Sequence, residues 1–417
     1  MQIKTFAPKY VKGKVILPSS KSISNRVLVI NTLSGNRGML PENVSDCDDT
    51  RVMIKWLGGN DETVDVGAAG TAMRFSTALL AVSEGCRVIT GSERMKQRPI
   101  GLLVDALRVL GAEIEYVENV GFPPLRIKGC PMLEGGCVVL SGGVSSQYIS
   151  ALLMIAPVMK DGLTLELEGE IVSRPYIDLT ISLMRKFGAD VRWICENVVR
   201  VEPKGYVAGN FFVESDWSAA SYWYEMMALC DDAEIVLPGL LSNSCQGDRK
   251  VAELFKELGV ATEFVDGEGF DSCVRLYKAG QVCERLNYDF VDQPDLAQTF
   301  VVCCCMMNIP FRFTGLQSLK IKETDRIAAL RTEMAKLGYV VGEENGSVLF
   351  WNGERCNGDP APVIDTYDDH RMAMAFAPCA LRLGQIRINN PEVVSKSYPK
   401  FWDDLRMVGF VIDEVEI

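Results

Sequence analysis

Histidine is nearly absent from this chain: His370 is the only one in 417 residues. No Cys-x-x-Cys pair occurs either. Zinc sites draw on closely spaced cysteines and histidines, so this pattern argues against one. The 14 cysteines show no disulfide framework. Cys303, Cys304 and Cys305 are contiguous within apolar sequence, where thiols act as small buried hydrophobes, and reduced core thiols are expected. Long apolar runs are missing as well. The most apolar stretch, residues 300–309, falls well short of the ~20 residues that span a bilayer. The N-terminal Met1-Gln-Ile-Lys-Thr-Phe-Ala-Pro8 lacks the apolar centre of a secretory signal. A cytoplasmic protein with no membrane partner is expected. Cations are the scarcer charge, 43 Lys and Arg against 55 Asp and Glu, for a net charge of −12. That excludes nucleic acid, which needs a basic footprint. It does not exclude small anions, because screening confines exposed charges to roughly 8 Å at physiological salt and a local basic cluster governs its own cleft.

What is present is an ordinary globular composition, 48% hydrophobic and 24% charged, long enough for two or three domains. It also contains a repeat. An amphipathic helix ends in an apolar residue and glycine, and a short strand comes next. The phrase closes at Gly58, Gly111, Gly188, Gly259, Gly338 and Gly409. Glycine takes the left-handed conformation at a helix C-terminus without a Cβ clash, and alternating apolar residues after it read as strand. The intervals are nearly even except the first, which is shorter by about a β-hairpin. The deficit falls near Gly59-Asn-Asp-Glu. Six α/β units are predicted, the first shortened.

Several segments gather charge and small residues at expected helix starts. Residues 14–17 read as a strand. Ser19-Ser-Lys21-Ser22-Ile-Ser-Asn-Arg26 then opens a helix to Leu33, with Ser22 as the N-cap. A helix start binds anions through free N–H groups and its positive dipole end, and Lys21 and Arg26 add full charges. Ser20 stands where a Walker loop requires glycine, so this is not a nucleotide cradle. Gly67-Ala-Ala-Gly70-Thr-Ala-Met-Arg74 allows close backbone approach. Arg94-Met-Lys96-Gln-Arg98 places three basic residues before Pro99, at the expected first turn of a helix. Ser145-Ser146-Gln147 and Ser173-Arg-Pro-Tyr176 offer hydroxyl and backbone donors. In Lys322-Glu323-Thr-Asp325-Arg326, the two cations are four apart and are expected on one helix face, an unfavourable pairing unless an anion joins them. Asp368-Asp369-His370-Arg371 and Val394-Ser-Lys396 complete the set. A lone histidine is usually structural, and His370 is not taken as a base. Singly, capped helices with solvated charges account for most of these segments.

Together, and in this order, Ser20–Arg26, Ala69–Arg74, Arg94–Pro99, Val144–Gln147, Lys322–Arg326 and Asp369–Met374 resemble the signatures of the 5-enolpyruvylshikimate-3-phosphate synthase family over almost the whole chain. The resemblance implies an inside-out α/β barrel of two domains, each built from three copies of one α/β unit. The first domain would cover residues 20–213 and the second residues 1–19 with 214–417, the active site lying in the cleft between them. It implies transfer of the enolpyruvyl group of phosphoenolpyruvate to the 5-hydroxyl of shikimate 3-phosphate, with release of phosphate, in aromatic amino-acid biosynthesis. Lys21, Ser22 and Arg26 would hold the shikimate moiety, with Ser318 and Tyr176 beside it. Ser145, Ser146, Ser173 and Lys322 would take its phosphate. Arg98, Arg326, Arg371 and Lys396 would grip phosphoenolpyruvate, with Gly70, Lys21 and Gln147 beside it. Asp295 and Glu323 would be the carboxylates of proton transfer, and Lys21 is counted with them as catalytic.

The chemistry calls for these residue types. A hydroxyl loses a proton as it adds to the enol carbon, and the methylene gains one, so two carboxylates in different surroundings divide the work. Cations orient both anions and neutralise the departing phosphate. No redox step is involved, and the resemblance implies neither a metal nor a cofactor, a monomer being expected. The chain departs from the family at Ala68 and Ser318, where asparagine is usual, and at Phe75, where proline often follows the arginine. Gly70 matches the small residue of glyphosate-sensitive members. Two other readings compete. A transferase acting on UDP-N-acetylglucosamine would show Lys-Asn at the first loop and a loop cysteine, but this chain has Lys21-Ser22 and no thiol in Arg94–Arg98. A non-catalytic anion binder would have no use for Asp295 and Glu323.

Overall fold

Five four-stranded sheets carry the repeat in the computed structural model, which describes residues 1–59 and 61–415. Each sheet is built the same way. Strands Thr63–Asp65 and Cys86–Thr90 lie parallel, joined by the helix Gly70–Ala81. After the helix Gly101–Val109, the hairpin Glu113–Tyr116 with Leu125–Lys128 folds back, and its second strand pairs antiparallel with Cys86–Thr90. The same order recurs for Gly136–Ser141, Leu163–Glu168, Val198–Val201 and Val191–Cys195, and again for Leu286–Asp289, Phe311–Thr314, Val348–Trp351 and Gly342–Glu344. The other two sheets borrow a strand from the N-terminus. Val11–Lys14 pairs parallel with Ala233–Pro238. Gln2–Phe6 lies between Gln385–Asn389 and Val411–Val415, antiparallel to both.

The first repeat keeps its helices, Lys21–Leu33 and Asp48–Gly58, but no sheet. A single parallel bridge, Glu42 to Phe212, stands where two strands would pair. The hairpin is gone: Asp48–Gly58 ends five residues before Thr63–Asp65, the first strand of the next unit, begins. This corrects one sequence expectation. Gly111, Gly188, Gly259, Gly338 and Gly409 take φ of 78 to 103°, but Gly58 is the last helical residue, and Gly59 leaves extended at φ −100°. The other five glycines reverse the chain into a hairpin strand. Gly58 has no hairpin to enter, so it needs no left-handed turn.

The chain forms two compact units, Met1–Pro18 with Glu214–Ile417, and Ser19–Val213. Each has its own core of buried apolar side chains. In the first, helices Trp217–Leu229 and Ala297–Met306 are buried on nearly every side, which is why their sequences are apolar all round. Cys303–Cys305 sit there beside Phe300 and Val301. In the second, Gly70–Ala81 and Ser146–Ile155 hold the corresponding place. All 14 cysteines are free, but they are not all core thiols: Cys86, Cys137, Cys195, Cys245 and Cys356 are exposed. Cys86 and Cys137 stand in strands at outward-alternating positions, where apolar context says nothing about burial, and Cys195 is the last residue of its strand. The N-terminal edge strand is Val11–Lys14 rather than 14–17, with Val15 N–H still donating to the Val236 carbonyl. Among the described residues, no helix is long and apolar enough to cross a membrane.

Candidate active site

In the unit Ser19–Val213, side-chain contacts tie together the starts of five helices. The helix Lys21–Leu33 is capped at Ser20, not Ser22 as its sequence indicated. Lys21 Nζ stands 3.3 Å from Asp49 Oδ2, at the start of Asp48–Gly58. Arg26 is buried, and its donors are taken by neutral oxygens: Thr180 Oγ1 at 2.7 Å, the Ser22 carbonyl at 2.8 Å, Ser150 Oγ at 3.1 Å and the Tyr176 carbonyl at 3.3 Å. Burial lowers its pKa to about 10, against the opposing pull of Tyr176. The Phe75 ring lies 5.3 Å from its guanidinium, so the phenylalanine that departs from the family's usual proline packs on this cation. Ser145 caps the helix Ser146–Ile155, and Gln147 Nε2 donates to Thr71 Oγ1 at 3.2 Å. Ser173 caps Arg174–Lys186 in the left-handed region, φ 58°, with Tyr176 one turn on. Ala68 is exposed in the turn before Gly70.

Arg98 leaves the turn Met95–Gln97 with its guanidinium over Gly70. Arg74 locks that approach, donating to the Gly70 carbonyl and to the Pro99 carbonyl, both at 3.2 Å. Pro99 itself precedes the cap of Gly101–Val109 rather than lying in its first turn. This unit therefore offers helix N-termini, hydroxyls and three cations, Lys21, Arg26 and Arg98, an arrangement suited to anions.

In the other unit, one guanidinium organises the site. Arg326 opens the helix Arg326–Lys336, capped by Asp325, and is 1% exposed. Its Nη1 donates to Asp295 Oδ1 at 3.1 Å, and its Nη2 to Glu323 Oε2 at 3.0 Å. Its Nε and Nη2 meet Asp369 Oδ2 and Oδ1 at 2.6 and 3.2 Å. Arg371 Nη2 reaches Asp295 Oδ2 at 2.8 Å, and its Nη1 reaches the Tyr222 hydroxyl at 3.3 Å. Lys396 Nζ lies 2.8 Å from Glu323 Oε1 and Lys322 Nζ 3.6 Å from Asp295 Oδ1. Burial pushes the Asp295 carboxyl up, but Arg371, Lys322 and Arg326 outweigh it and hold the group well below the usual carboxylate range. Asp248, hydrogen-bonded to Ser218, goes the other way: burial and the nearby Asp295 charge push it up to about 7, against Arg371.

The structure thus gathers Lys21, Ser22, Arg26, Gly70, Arg98, Ser145, Ser146, Gln147, Ser173 and Tyr176 in one unit and Asp295, Ser318, Lys322, Glu323, Arg326, Arg371 and Lys396 in the other. Lys322 corrects the shared-face expectation. It ends the turn Gln317–Ile321, outside the helix that Arg326 begins, and the anion joining the two cations is Asp295. Ser318 Oγ is buried in that same turn with no hydrogen-bond partner among the described residues. Sequence reasoning missed Asp369, Asp49, Thr71 and Tyr222 as members of these clusters. Asp369 carried a signal, since an aspartate before a helix start reads as a cap; Tyr222 carried none. Among the described residues, no group of three or more His, Cys, Asp or Glu could hold a metal ion.

The chain is similar to known proteins over nearly its whole length. The family model for EPSP synthase (3-phosphoshikimate 1-carboxyvinyltransferase) matches residues 57–405. A 3-phosphoshikimate 1-carboxyvinyltransferase of Bacteroides fragilis is 59% identical over 406 residues, covering 97% of each chain. One from Vibrio atlanticus is 37% identical over 429 aligned positions, covering 96% of this chain and 97% of the relative. The solved EPSP synthase of Acinetobacter baumannii shares the fold at a TM-score of 0.78, over 99% of this chain and 100% of that one, with 20% identity. The chain belongs to the EPSP synthase (3-phosphoshikimate 1-carboxyvinyltransferase) family.

Proposed function

We propose that the chain transfers the enolpyruvyl group of phosphoenolpyruvate to the 5-hydroxyl of shikimate 3-phosphate, releasing inorganic phosphate. The observation that carries this reading is the Arg326 guanidinium holding Asp295 on one nitrogen and Glu323 on the other, with Arg371 and Lys396 alongside. Arg326, Arg371 and Lys396 suit the phosphate and carboxylate of phosphoenolpyruvate, and Arg98 adds a fourth cation. Lys21, Ser22, Arg26, Tyr176 and Ser318 serve the shikimate moiety, and Ser145, Ser146, Ser173 and Lys322 its phosphate.

In the addition step the 5-hydroxyl gives its proton to a carboxylate, and its oxygen bonds to the central carbon of phosphoenolpyruvate. The methylene carbon takes a proton from the second acid. In the elimination step that methyl carbon loses a proton, the enol double bond re-forms, and phosphate leaves. Asp295 is assigned to the hydroxyl and Glu323 to the methylene. The cations holding Asp295 low make it a weak base. A phosphoenolpyruvate bound on Arg326 and Arg371 brings negative charge beside it and competes for the same donors, so its proton affinity rises in the complex that needs a base. Lys21, paired with Asp49, is assigned to steady the reacting oxygens.

The working form is taken to be the single chain in the cytoplasm, and glyphosate is expected to compete with phosphoenolpyruvate. Asp295→Asn and Glu323→Gln test the assignment. Each should lower turnover by at least about a hundredfold with Michaelis constants moved far less. Near-normal turnover in either removes that carboxylate from proton transfer. Turnover of UDP-N-acetylglucosamine in place of shikimate 3-phosphate would transfer the chain to the sister reaction.

A further inference from the structure

Just before Asp369 the backbone does something costly. Tyr367 and Asp368, neither of them glycine, both stand in the left-handed region, at φ 53 and 55°. Two such residues in a row persist only where the surroundings over-determine them. What holds them is Glu333, which is 0% exposed. Its Oε1 accepts from the Tyr367 hydroxyl at 2.6 Å, and its Oε2 accepts from the Asp365 backbone N–H at 3.1 Å. Lys336 Nζ braces the arrangement, 2.8 Å from both Glu333 Oε2 and Asp365 Oδ2. The turn closes with Asp369 N–H donating to the Thr366 carbonyl at 2.8 Å.

The same helix is therefore gripped twice. At its first residue, Arg326 is clamped by Asp369; about two turns on, Glu333 clamps the strained turn that delivers Asp369. Asp369 Oδ1 also accepts from the Arg371 backbone N–H at 2.9 Å, so the turn sets the start of the helix bearing Arg371 as well. With Asp369 occupying Nε and part of Nη2, the guanidinium plane of Arg326 is fixed, and its remaining edge is turned to Asp295 and Glu323. Single left-handed residues occur in other strand-to-helix turns, Gly67 and Ser173 among them, but only here among the described residues do two non-glycine residues in succession hold that conformation.

We propose that Glu333 and Tyr367 are positioning residues of the reaction: through the strained Tyr367–Asp368 turn they hold Asp369 against Arg326 and so pre-set the Arg326 and Arg371 donors for phosphoenolpyruvate. This rests on the enolpyruvyl-transfer reading of the same site. Without the Tyr367 hydroxyl, the turn loses its tether and relaxes towards ordinary dihedral angles, carrying Asp369 away from Arg326. Shikimate 3-phosphate, held mainly by other residues, is little affected.

The test is steady-state phosphate release by wild type, Tyr367→Phe, Glu333→Gln and the double variant Tyr367→Phe/Asp368→Gly, each substrate varied in turn. Tyr367→Phe should raise the Michaelis constant for phosphoenolpyruvate about tenfold and that for shikimate 3-phosphate less than about twofold, with Glu333→Gln in the same direction. Glycine accepts left-handed dihedrals without strain, so the double variant should recover most of the loss. Unchanged affinity for phosphoenolpyruvate in both single variants overturns the proposal. So does an equal rise for both substrates accompanied by a lower melting temperature, or a double variant no better than Tyr367→Phe. Absence of phosphate release by the wild type itself overturns the functional reading and this inference with it, and is told apart from the other outcomes by that control.

Discussion

A β-carbon at Gly70 would stand 2.8 Å from Arg98 Nη1, closer than real side chains tolerate, and a tight 3.1 Å from its Cζ. The guanidinium has room to move, so Gly70→Ala should fold. It should also push Arg98 off its position and raise the Michaelis constant for phosphoenolpyruvate about tenfold, leaving that for shikimate 3-phosphate nearly unchanged in the same assay. A second single residue bears on stability. Glu225 lies 0% exposed in the helix Trp217–Leu229, with no hydrogen-bond partner for either carboxylate oxygen among the described residues. Burial raises its pKa well above the usual carboxylate range. Between the ordinary carboxylate pKa and that raised value, the folded chain binds a proton that the unfolded chain has released, so stability falls as pH rises through this window. Glu225→Met, similar in volume and set beside Met226 and Met227, should therefore stabilise the protein by about 1–3 kcal/mol near neutral pH and by little near pH 4. Thermal melts across pH check this; a gain independent of pH would contradict it. At this scale, Lys21, Arg98, Asp295, Glu323, Arg326 and Arg371 were legible as charged residues in recognisable segments. Asp369 and Glu333 were not legible as positioning groups, because their contacts join residues that are 43 and 34 apart in the chain and no local pattern encodes that pairing.

Helix starts are the elements that do most here. Asp216, Asp325 and Asp369 each accept a backbone N–H within the first turn of their helices, and Asp325 does so for the helix that begins with Arg326. Asp325→Ala should cost about 1 kcal/mol of stability, read as a melting-temperature drop of a few degrees, and should also weaken phosphoenolpyruvate by loosening the first turn under Arg326. Asp325→Asn keeps the cap and should restore both. Loss of stability with no change in affinity would confine Asp325 to a structural role. The repeat was legible because a helix, a glycine and a strand recur at steady spacing. The reduction of the first unit to one bridge was only half legible. The missing hairpin shows as a shortened interval, but the partner of Glu42 is Phe212, at the far end of the compact unit Ser19–Val213, and sequence near Glu42 carries no trace of it. Gly58 shows the limit of motif reading: the same helix–glycine phrase takes a different backbone there because no hairpin strand succeeds it.

Across the whole molecule, an acidic chain of net charge −12 keeps local regions that favour anions. The two units do so differently. In Ser19–Val213, Arg26 donates to the neutral oxygens of Ser22, Ser150, Tyr176 and Thr180, leaving its charge available at short range. In the other unit Arg326, Arg371, Lys322 and Lys396 are matched by Asp295, Glu323 and Asp369 in one network, so an incoming anion must compete with carboxylates. That competition is how substrate binding is expected to prime proton transfer. The most direct measurement is inorganic phosphate release by the purified chain given phosphoenolpyruvate and shikimate 3-phosphate together and each alone. One phosphate formed per enolpyruvyl product, only when both are present, is the result predicted. Tight binding of shikimate 3-phosphate with no phosphate released on adding phosphoenolpyruvate would contradict the account.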